Sequence, residues 1–458
     1  MLGKESVTNQ KEIIDGLNKG PEGILTRQEL VWLAVGQVIG AGVIALIGPS
    51  MAITGSSIWL AYLTAIVFGI FLVFPFMVIS GTVRLSGGAY SAVYSIVGKR
   101  AGGIYLIGTI PSLISLASYP IASAAYIESL IPNVNVTIIA LTILTIFYVI
   151  NLAGAKFMAK IQTILGYSLI MGLISFVIFG LPKVNWTQIS FSSPNFMLNG
   201  MDGFFTAVFI LIFSTHGYYF SIGYSNVAKN ARKDLPFSMM VAIPVILILY
   251  VGCGIVAAGV LPFEEVAGKP LTYVAKEALP TAIFWIFYLG GAMGALLTSL
   301  NSSFGYFSNI IAAGAENGWL PSFFKKQNKN ASYWVVLTLG YFIGLLPIIF
   351  KFSVTAITSN AMFVSGVLMI LGFVAAWMLP EKYPLLWERS TMRMPVKVFK
   401  FIMILCFIME VVVIIYSARS SNVVAVVIST IYLIFCILYS NVRLKSGEVK
   451  SDVSLWYD

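Results

Sequence analysis

Charge is the scarcest property of this chain. Only 10% of its 458 residues are Asp, Glu, Lys or Arg, and it has a single histidine, His216. A water-soluble domain of this length carries about a quarter charged residues, so a solvated globular surface is excluded for most of the chain. Cysteine is equally sparse. Cys253, Cys406 and Cys436 each lie in an apolar stretch and read as small core residues rather than a disulfide framework. No GxxxxGK[ST] loop is present to hold a nucleotide, and no interval between apolar stretches is long enough for a soluble domain. An ATP-driven pump and a receptor with a large ectodomain are therefore excluded. HExxH and GxSxG motifs are also missing, and the central apolar stretches hold no paired acids for acid–base work. An enzyme is not expected. A secretory leader is not expected either, because residues 1–27 are polar, of mixed charge and without an apolar core.

What the chain has instead is apolar length. Hydrophobic residues make up 59% of it and the mean hydropathy is +0.91. Runs of 20 or so apolar residues cross ~30 Å of hydrocarbon as helices. In lipid the helix is favoured because it satisfies its own backbone; barrel strands would alternate over short stretches. Twelve segments are expected, near residues 30–53, 57–82, 102–130, 135–153, 157–181, 203–228, 236–261, 281–315, 333–350, 354–379, 397–418 and 422–441. With the amino terminus placed in the cytoplasm, 23 of the 28 Lys and Arg residues fall on the cytoplasmic side. Only Lys183, Lys269, Lys276, Lys351 and Arg419 fall outside. That bias sets the orientation by the positive-inside rule, with both termini cytoplasmic. It also assigns the net charge of +10 to topology, so nucleic acid is not an expected partner.

Two segments are interrupted. The first carries Gly36-Gln37-Val38-Ile39-Gly40-Ala41-Gly42-Val43 and the sixth carries Phe213-Ser214-Thr215-His216-Gly217. Glycine pairs make regular helix costly at mid-depth, which predicts a break at Gly40-Ala41-Gly42 and another at Thr215–Gly217. These occupy corresponding positions in segments 1–5 and 6–10, the pattern of a transporter site built on inverted repeats. Amides freed near Ala41, Gly42 and Val43 favour a carboxylate. Carbonyls freed near Ile39, Phe213 and Ser214 can accept from an ammonium group. An α-amino acid has both ends. Small residues that only permit close helix packing would give a similar pattern.

The stretches Gly36–Val43, Ser86-Gly87-Gly88-Ala89-Tyr90, Asn151–Gln162, Asn230–Pro236 and Ala315–Pro321 resemble the amino acid–polyamine–organocation (APC) superfamily, with its LeuT-type fold. The resemblance covers roughly residues 28–380. It implies an all-α membrane protein of about 12 transmembrane helices, with a 5+5 inverted-repeat core broken in helices 1 and 6 and two peripheral helices. The expected divisions are a cytoplasmic tail (1–27), a transport core (28–380), peripheral helices 11–12 (381–441) and a second cytoplasmic tail (442–458). The implied activity is secondary active transport of an amino acid by alternating access across a cell membrane, here a bacterial one, as exchanger or ion-coupled symporter. Precursor/amine antiport, organic-cation transport, inorganic-ion cotransport and substrate sensing without transport are the alternatives.

The implied substrate-binding set is Ile39, Gly40, Ala41, Gly42, Val43, Phe213, Ser214, His216, Gly217 and Ser303, with Phe213 also the outer gate. Family spacing puts Thr298 and Ser299 where sodium-coupled relatives hold the ion, with carbonyls of Gly36, Ile39 and Ala295. Neutral oxygens of this kind suit a hard cation, although hydroxyls also serve as interhelical hydrogen bonds. No resident cofactor is implied; Na+ or H+ is the coupling ion in the ion-coupled alternative, and exchange needs neither. His216 lines the pocket or titrates. Thr109, Tyr218 and Tyr219 are further cavity candidates. Val78 and Val227 stand where family members usually carry acids, and segment 5 has only Lys156 and Lys160, both at its start. No acid lies in the interrupted stretches, which favours a neutral amino acid. Glu410, in segment 11, is an intramembrane acid outside the core, and such residues are functional by default. The sequence is silent on oligomeric state.

Overall fold

The computed structural model describes residues 22–450 and 455–456, and it is helical almost throughout. Among the described residues, ten helices are long and apolar enough to cross a membrane. Two shorter apolar helices, Val136–Leu152 and Trp334–Ile349, stand at segments 4 and 9. At 1.5 Å per residue they are about 25 Å long, a few ångströms below the hydrocarbon thickness. Each of the twelve expected segments thus coincides with helix, with ends displaced by a few residues. Residues 1–21 of the expected first tail, and 451–454 and 457–458 of the last, lie outside the described residues.

Segment 1 comprises Arg27–Val38, then Ala41–Ala45 and Ile47–Thr54. It starts at a capping box, in which the Thr26 side chain accepts from the Glu29 amide and the Glu29 carboxylate accepts from the Thr26 amide at 2.7 Å. Such reciprocal capping satisfies amides that the first turn leaves open. Segment 2 is Ile58–Thr82 and segment 3 runs through Lys99–Thr109, a 3-10 stretch Ile110–Ala117, and Ser118–Glu128. Segment 4 is Val136–Leu152, segment 5 is Ala155–Gly180, and segment 6 is Gly200–Ile212 followed by the 3-10 helix Phe213–Tyr224. Segment 7 is Ala231–Gly259, and segment 8 joins Thr281–Ile286 to Gly294–Glu316 through a π-helical stretch. Segments 9 to 12 are Trp334–Ile349, Val354–Lys382, Val396–Ser420 and Val423–Lys445. The last helix therefore takes in the first four residues, 442–445, of the expected tail. Among the described residues the only paired strands are two residues each, Arg84–Leu85 against Leu455–Trp456.

Several packed pairs recur when segment n is exchanged with segment n+5. Segment 1 packs on 6, 2 on 7, 3 on 8 and 4 on 9. Off-diagonal pairs follow the same exchange: 2 on 6 recurs as 7 on 1, 5 on 8 as 10 on 3, and 4 on 8 as 9 on 3. Five is odd, so exchanged segments run in opposite senses along an up-and-down chain, which makes the two halves inverted. Segments 11 and 12 stand outside this exchange. Segment 11 packs on 10, 2 and 6, and segment 12 on 3 and 10. Segment 12 buries only Cys436 and Ser440, as expected of a helix turned mainly to lipid.

Candidate substrate site

The first interruption is a true gap, placed slightly earlier than expected. Helix ends at Val38, Ile39 is extended (φ −79°, ψ 90°), and helix resumes at Ala41, so the non-helical residues are Ile39 and Gly40. Gly42 lies in the resumed helix, where its role is close approach. A Cβ there would stand 2.7 Å from the Ser214 Cα. The N–H groups of Ala41, Gly42 and Val43 form the first turn of that helix, which has no intrahelical acceptors for them.

The second interruption is a change of helix type. From Phe213 the chain tightens into a 3-10 helix that runs through Thr215, His216 and Gly217 to Tyr224. No unwound gap forms, because Gly217 lies directly on the backbone of segment 1: a Cβ there would meet the Gln37 carbonyl at 2.5 Å and the Val38 Cα at 2.8 Å. Polar residues and one glycine were the visible signal, and the packing they permit keeps the stretch helical.

Tyrosines from segments 2, 3 and 7 secure the carbonyls at these interruptions. The Tyr250 hydroxyl lies 2.7 Å from the Val38 carbonyl and 3.3 Å from that of Ser214. Tyr62 donates to the Gly42 carbonyl at 3.1 Å and Tyr126 to Ile44 at 2.8 Å. Tyr62 and Tyr250 belong to exchanged segments, and their rings meet edge-on at 5.2 Å. One carbonyl expected to be available, that of Ser214, is thus already shared with a hydroxyl. These tyrosines carry no motif. They read as ordinary aromatic residues of apolar segments.

Between the interruptions lies a cavity of about 50 Å³, walled by segments 1, 3, 6, 8 and 10. Of the expected set, Gly40, Gly42, Phe213, Ser214 and Gly217 line it, as do Thr109 and Tyr219. Ile39 and Val43 are fully buried away from its lining, and so is Tyr218. Ser303 sits one layer behind, 3.0 Å from the Gln37 amide nitrogen and 3.5 Å from the Tyr119 hydroxyl. The side chains of Ala41 and His216 lie outside the described residues. Sequence reasoning missed Gln37, which reaches the lining from segment 1 and also bonds Ser302. It missed Ser112, Ser115 and Tyr119 of segment 3 as well; their spacing of three and four residues on a helix was the available signal. No Asp, Glu, Lys or Arg is among the described lining residues.

Beside the cavity, the five residues proposed for a cation meet. The Gly36 carbonyl accepts from Thr298 at 3.1 Å and from Ser299 at 2.8 Å. Thr298 also reaches the Ala295 carbonyl at 2.9 Å, and Ser299 lies 3.5 Å from that of Ile39. This donor set is all neutral oxygen, the type that a hard cation accepts. Behind it, side-chain amides tie segments 4, 5 and 8. Asn301 donates to Gln162 at 2.9 Å, and Asn151 donates to Asn301 at 3.1 Å.

Residues 25–440 match the family model described as "Amino acid permease". The chain belongs to the amino acid permease family. Relatives are distant. The branched-chain amino acid permease BcaP of Bacillus subtilis is 22% identical over 352 residues, covering 69% of this chain and 73% of BcaP. The vacuolar cationic amino acid transporter 4 of Arabidopsis thaliana is 24% identical over 396 residues, covering 80% of this chain and 65% of that one. The methylthioribose transporter of B. subtilis is 24% identical over 333 residues, covering 67% and 70%. The permease is thus an all-α membrane protein of a transporter family, whose relatives carry names with three different substrate chemistries.

Two aromatic elements bound the permease cavity. Half-buried Phe213 lines it and also lines a smaller cavity shared with Phe209, Met362 and Tyr416. At the other end Phe220 stacks on Tyr306 at 4.1 Å, and the Tyr224 hydroxyl donates to the Ser302 carbonyl at 2.7 Å. Beyond them opens a larger cavity lined by Lys156, Tyr224, Gly305 and Ser308. Residues of segments 6 and 8 therefore separate the two spaces. Buried Arg84 braces this end, donating to the carbonyls of Ser225 and Asn226 at 3.0 Å each.

Proposed function

We propose that this permease moves a neutral amino acid by alternating access about the central cavity. One observation carries the reading: a cavity between the two helix interruptions whose described lining residues bear no charge. The substrate carboxylate sits at the amides of Ala41, Gly42 and Val43, where first-turn N–H groups and the helix dipole favour an anion. Its ammonium group sits among the neutral side-chain oxygens of the lining, which include those of Gln37, Ser115 and Tyr119. A cationic side chain would lie in the cavity without a counter-charge, at a cost of several kcal/mol. That argues against the substrate named for the Arabidopsis relative.

Phe213 is the outer gate in this reading, and the Phe220–Tyr306 stack is the inner partition. The wider space past that stack adjoins Lys156, on the side that the Lys and Arg distribution assigns to the cytoplasm. Residues 28–380 form the transport core of a cell-membrane protein, residues 381–441 are peripheral, and both tails are cytoplasmic. The oxygen cluster at Gly36, Ile39, Ala295, Thr298 and Ser299 supports a second element: sodium bound there fastens segment 1 to segment 8 and couples ion to substrate.

The test is uptake of a labelled panel into proteoliposomes, with L-leucine, L-arginine and methylthioribose as the diagnostic members. Saturable leucine uptake without arginine uptake is expected. Uptake confined to arginine or methylthioribose, or no flux of any amino acid, overturns the proposal.

A further inference from the structure

Glu410 lies near the middle of the segment 11 helix Val396–Ser420, at hydrocarbon depth, and is fully buried. Among the described residues, neither of its carboxylate oxygens has a hydrogen-bond partner. Its helix buries Phe399, Met403, Cys406 and Val413 on the same face, so the carboxyl interrupts an apolar seam. Room for it is built into segment 10. A Cβ on Gly366 would stand 2.9 Å from the Glu410 Oε1, so the acid rests against bare backbone that a side chain would occupy.

Among the described side chains no cation neutralises it. Lys400 and Arg419 are ten and nine residues away on the same helix, about 15 and 13 Å along its axis. Lys400 is 3.0 Å from Glu381, and Arg419 lies over the Tyr416 ring. Among the described side chains, the titratable groups that face Glu410 are the Tyr219 hydroxyl of segment 6 and the Cys406 thiol of its own helix. Segments 2 and 10 contribute none among the described residues.

An unpaired carboxylate in such a place costs several kcal/mol, and the ordinary remedy is a bound proton. Losing that proton to water leaves a carboxylate that must be hydrated, which requires segments 10 and 11 to part. Segment 10 is also a wall of the central cavity. Ser365 and Leu368, on either side of Gly366, line that cavity, as does Tyr219. Any shift of segment 10 that admits water to Glu410 therefore changes the substrate site.

We propose that Glu410 is a proton-binding site outside the transport core, linked through segment 10 to the substrate cavity. By thermodynamic reciprocity, a proton there strengthens substrate binding by the same factor by which substrate tightens the proton. The flux arm of the test rests on the transport reading, and the spectroscopic arm does not.

Glu410→Gln is the matched variant, an uncharged side chain of the same shape. In proteoliposomes, wild-type counterflow of labelled L-leucine is expected to fall about tenfold as pH rises from ~5 to ~9, with a flat profile in E410Q. Infrared difference spectra of the protein in nanodiscs, without substrate, are expected to show a protonated-carboxyl stretch that E410Q lacks and that raised pH removes. An identical pH profile in wild type and E410Q overturns the linkage. Absence of a carboxyl band assignable to Glu410 overturns the proton site even if leucine is not carried. E410Q that unfolds on purification is replaced by Glu410→Asp, whose band and profile must shift together; a shift in one alone also overturns the proposal.

Discussion

Replacing Gly217 with alanine is expected to force apart the two helix interruptions and disable the site between them. The added Cβ would stand 2.5 Å from the Gln37 carbonyl oxygen, 2.7 Å from its carbon and 2.8 Å from the Val38 Cα. All three are backbone atoms, so no rotamer change relieves the clash. Contact becomes ordinary at 3.4 Å, so segments 1 and 6 must separate by close to an ångström. That movement strains the Tyr250 hydroxyl, which spans the Val38 and Ser214 carbonyls. Overpacking costs about 1–3 kcal/mol, and a lost hydrogen bond adds about 1 kcal/mol. At 1.4 kcal/mol per factor of ten, binding weakens roughly 30- to 1,000-fold. Gly40→Ala is the comparator. Its Cβ is obstructed only by the Ser299 side chain, with the Ser299 Cβ at 2.8 Å, and a single side chain yields more easily than a backbone. Equilibrium binding of labelled L-leucine to purified protein measures both variants, with thermal stability as the folding control. If Gly217→Ala binds within about twofold of wild type, or less weakly than Gly40→Ala, the close-approach argument is wrong.

The remaining expectations concern an ion pair, a gate and a coupling ion. Arg27 meets Asp234 at 2.6 Å, with the arginine side chain 52% exposed and the aspartate 3%. Arg27→Ala strands a buried charge and is expected to cost about 2–3 kcal/mol. Asp234→Asn frees an arginine that water can solvate, at less than ~1 kcal/mol; denaturation of the two variants in detergent must preserve that order. Phe213→Ala joins the central cavity to the smaller one beside Tyr416 and is expected to raise the leucine off-rate about tenfold, read in a dilution chase. Replacing sodium by potassium is expected to weaken leucine binding, and Thr298→Ala with Ser299→Ala to abolish the difference between the two salts. Equal binding in both salts by the wild type would remove sodium from the cluster.

Transport architecture was readable because the solvent imposes it. Lipid demands apolar runs of fixed length, and the membrane's charge bias sorts Lys and Arg by side, so linear segments carry the information without reference to each other. The interruptions of segments 1 and 6 were legible for a similar reason, since glycine and clustered polar residues are costly at depth. Less legible was how each interruption is resolved. Ile39–Gly40 opens a gap, while Phe213–Tyr224 tightens into 3-10 helix, because Gly217 presses on the backbone of a segment some 180 residues away.

The sequence by itself determined the helical segments and the two places where regular helix is weakest, since these follow from local composition. Only the tertiary structure decided which groups face the cavity. Gln37, Ser112, Ser115 and Tyr119 line it, while Ile39, Val43 and Tyr218 turn away, because helix rotation is set by packing against neighbouring segments. The same holds for Tyr62 and Tyr250, whose hydroxyls hold the broken ends, and for Glu410. One acid in an apolar run marks a site, but only the bare backbone of Gly366 on the neighbouring helix shows where it rests, one residue from the cavity wall.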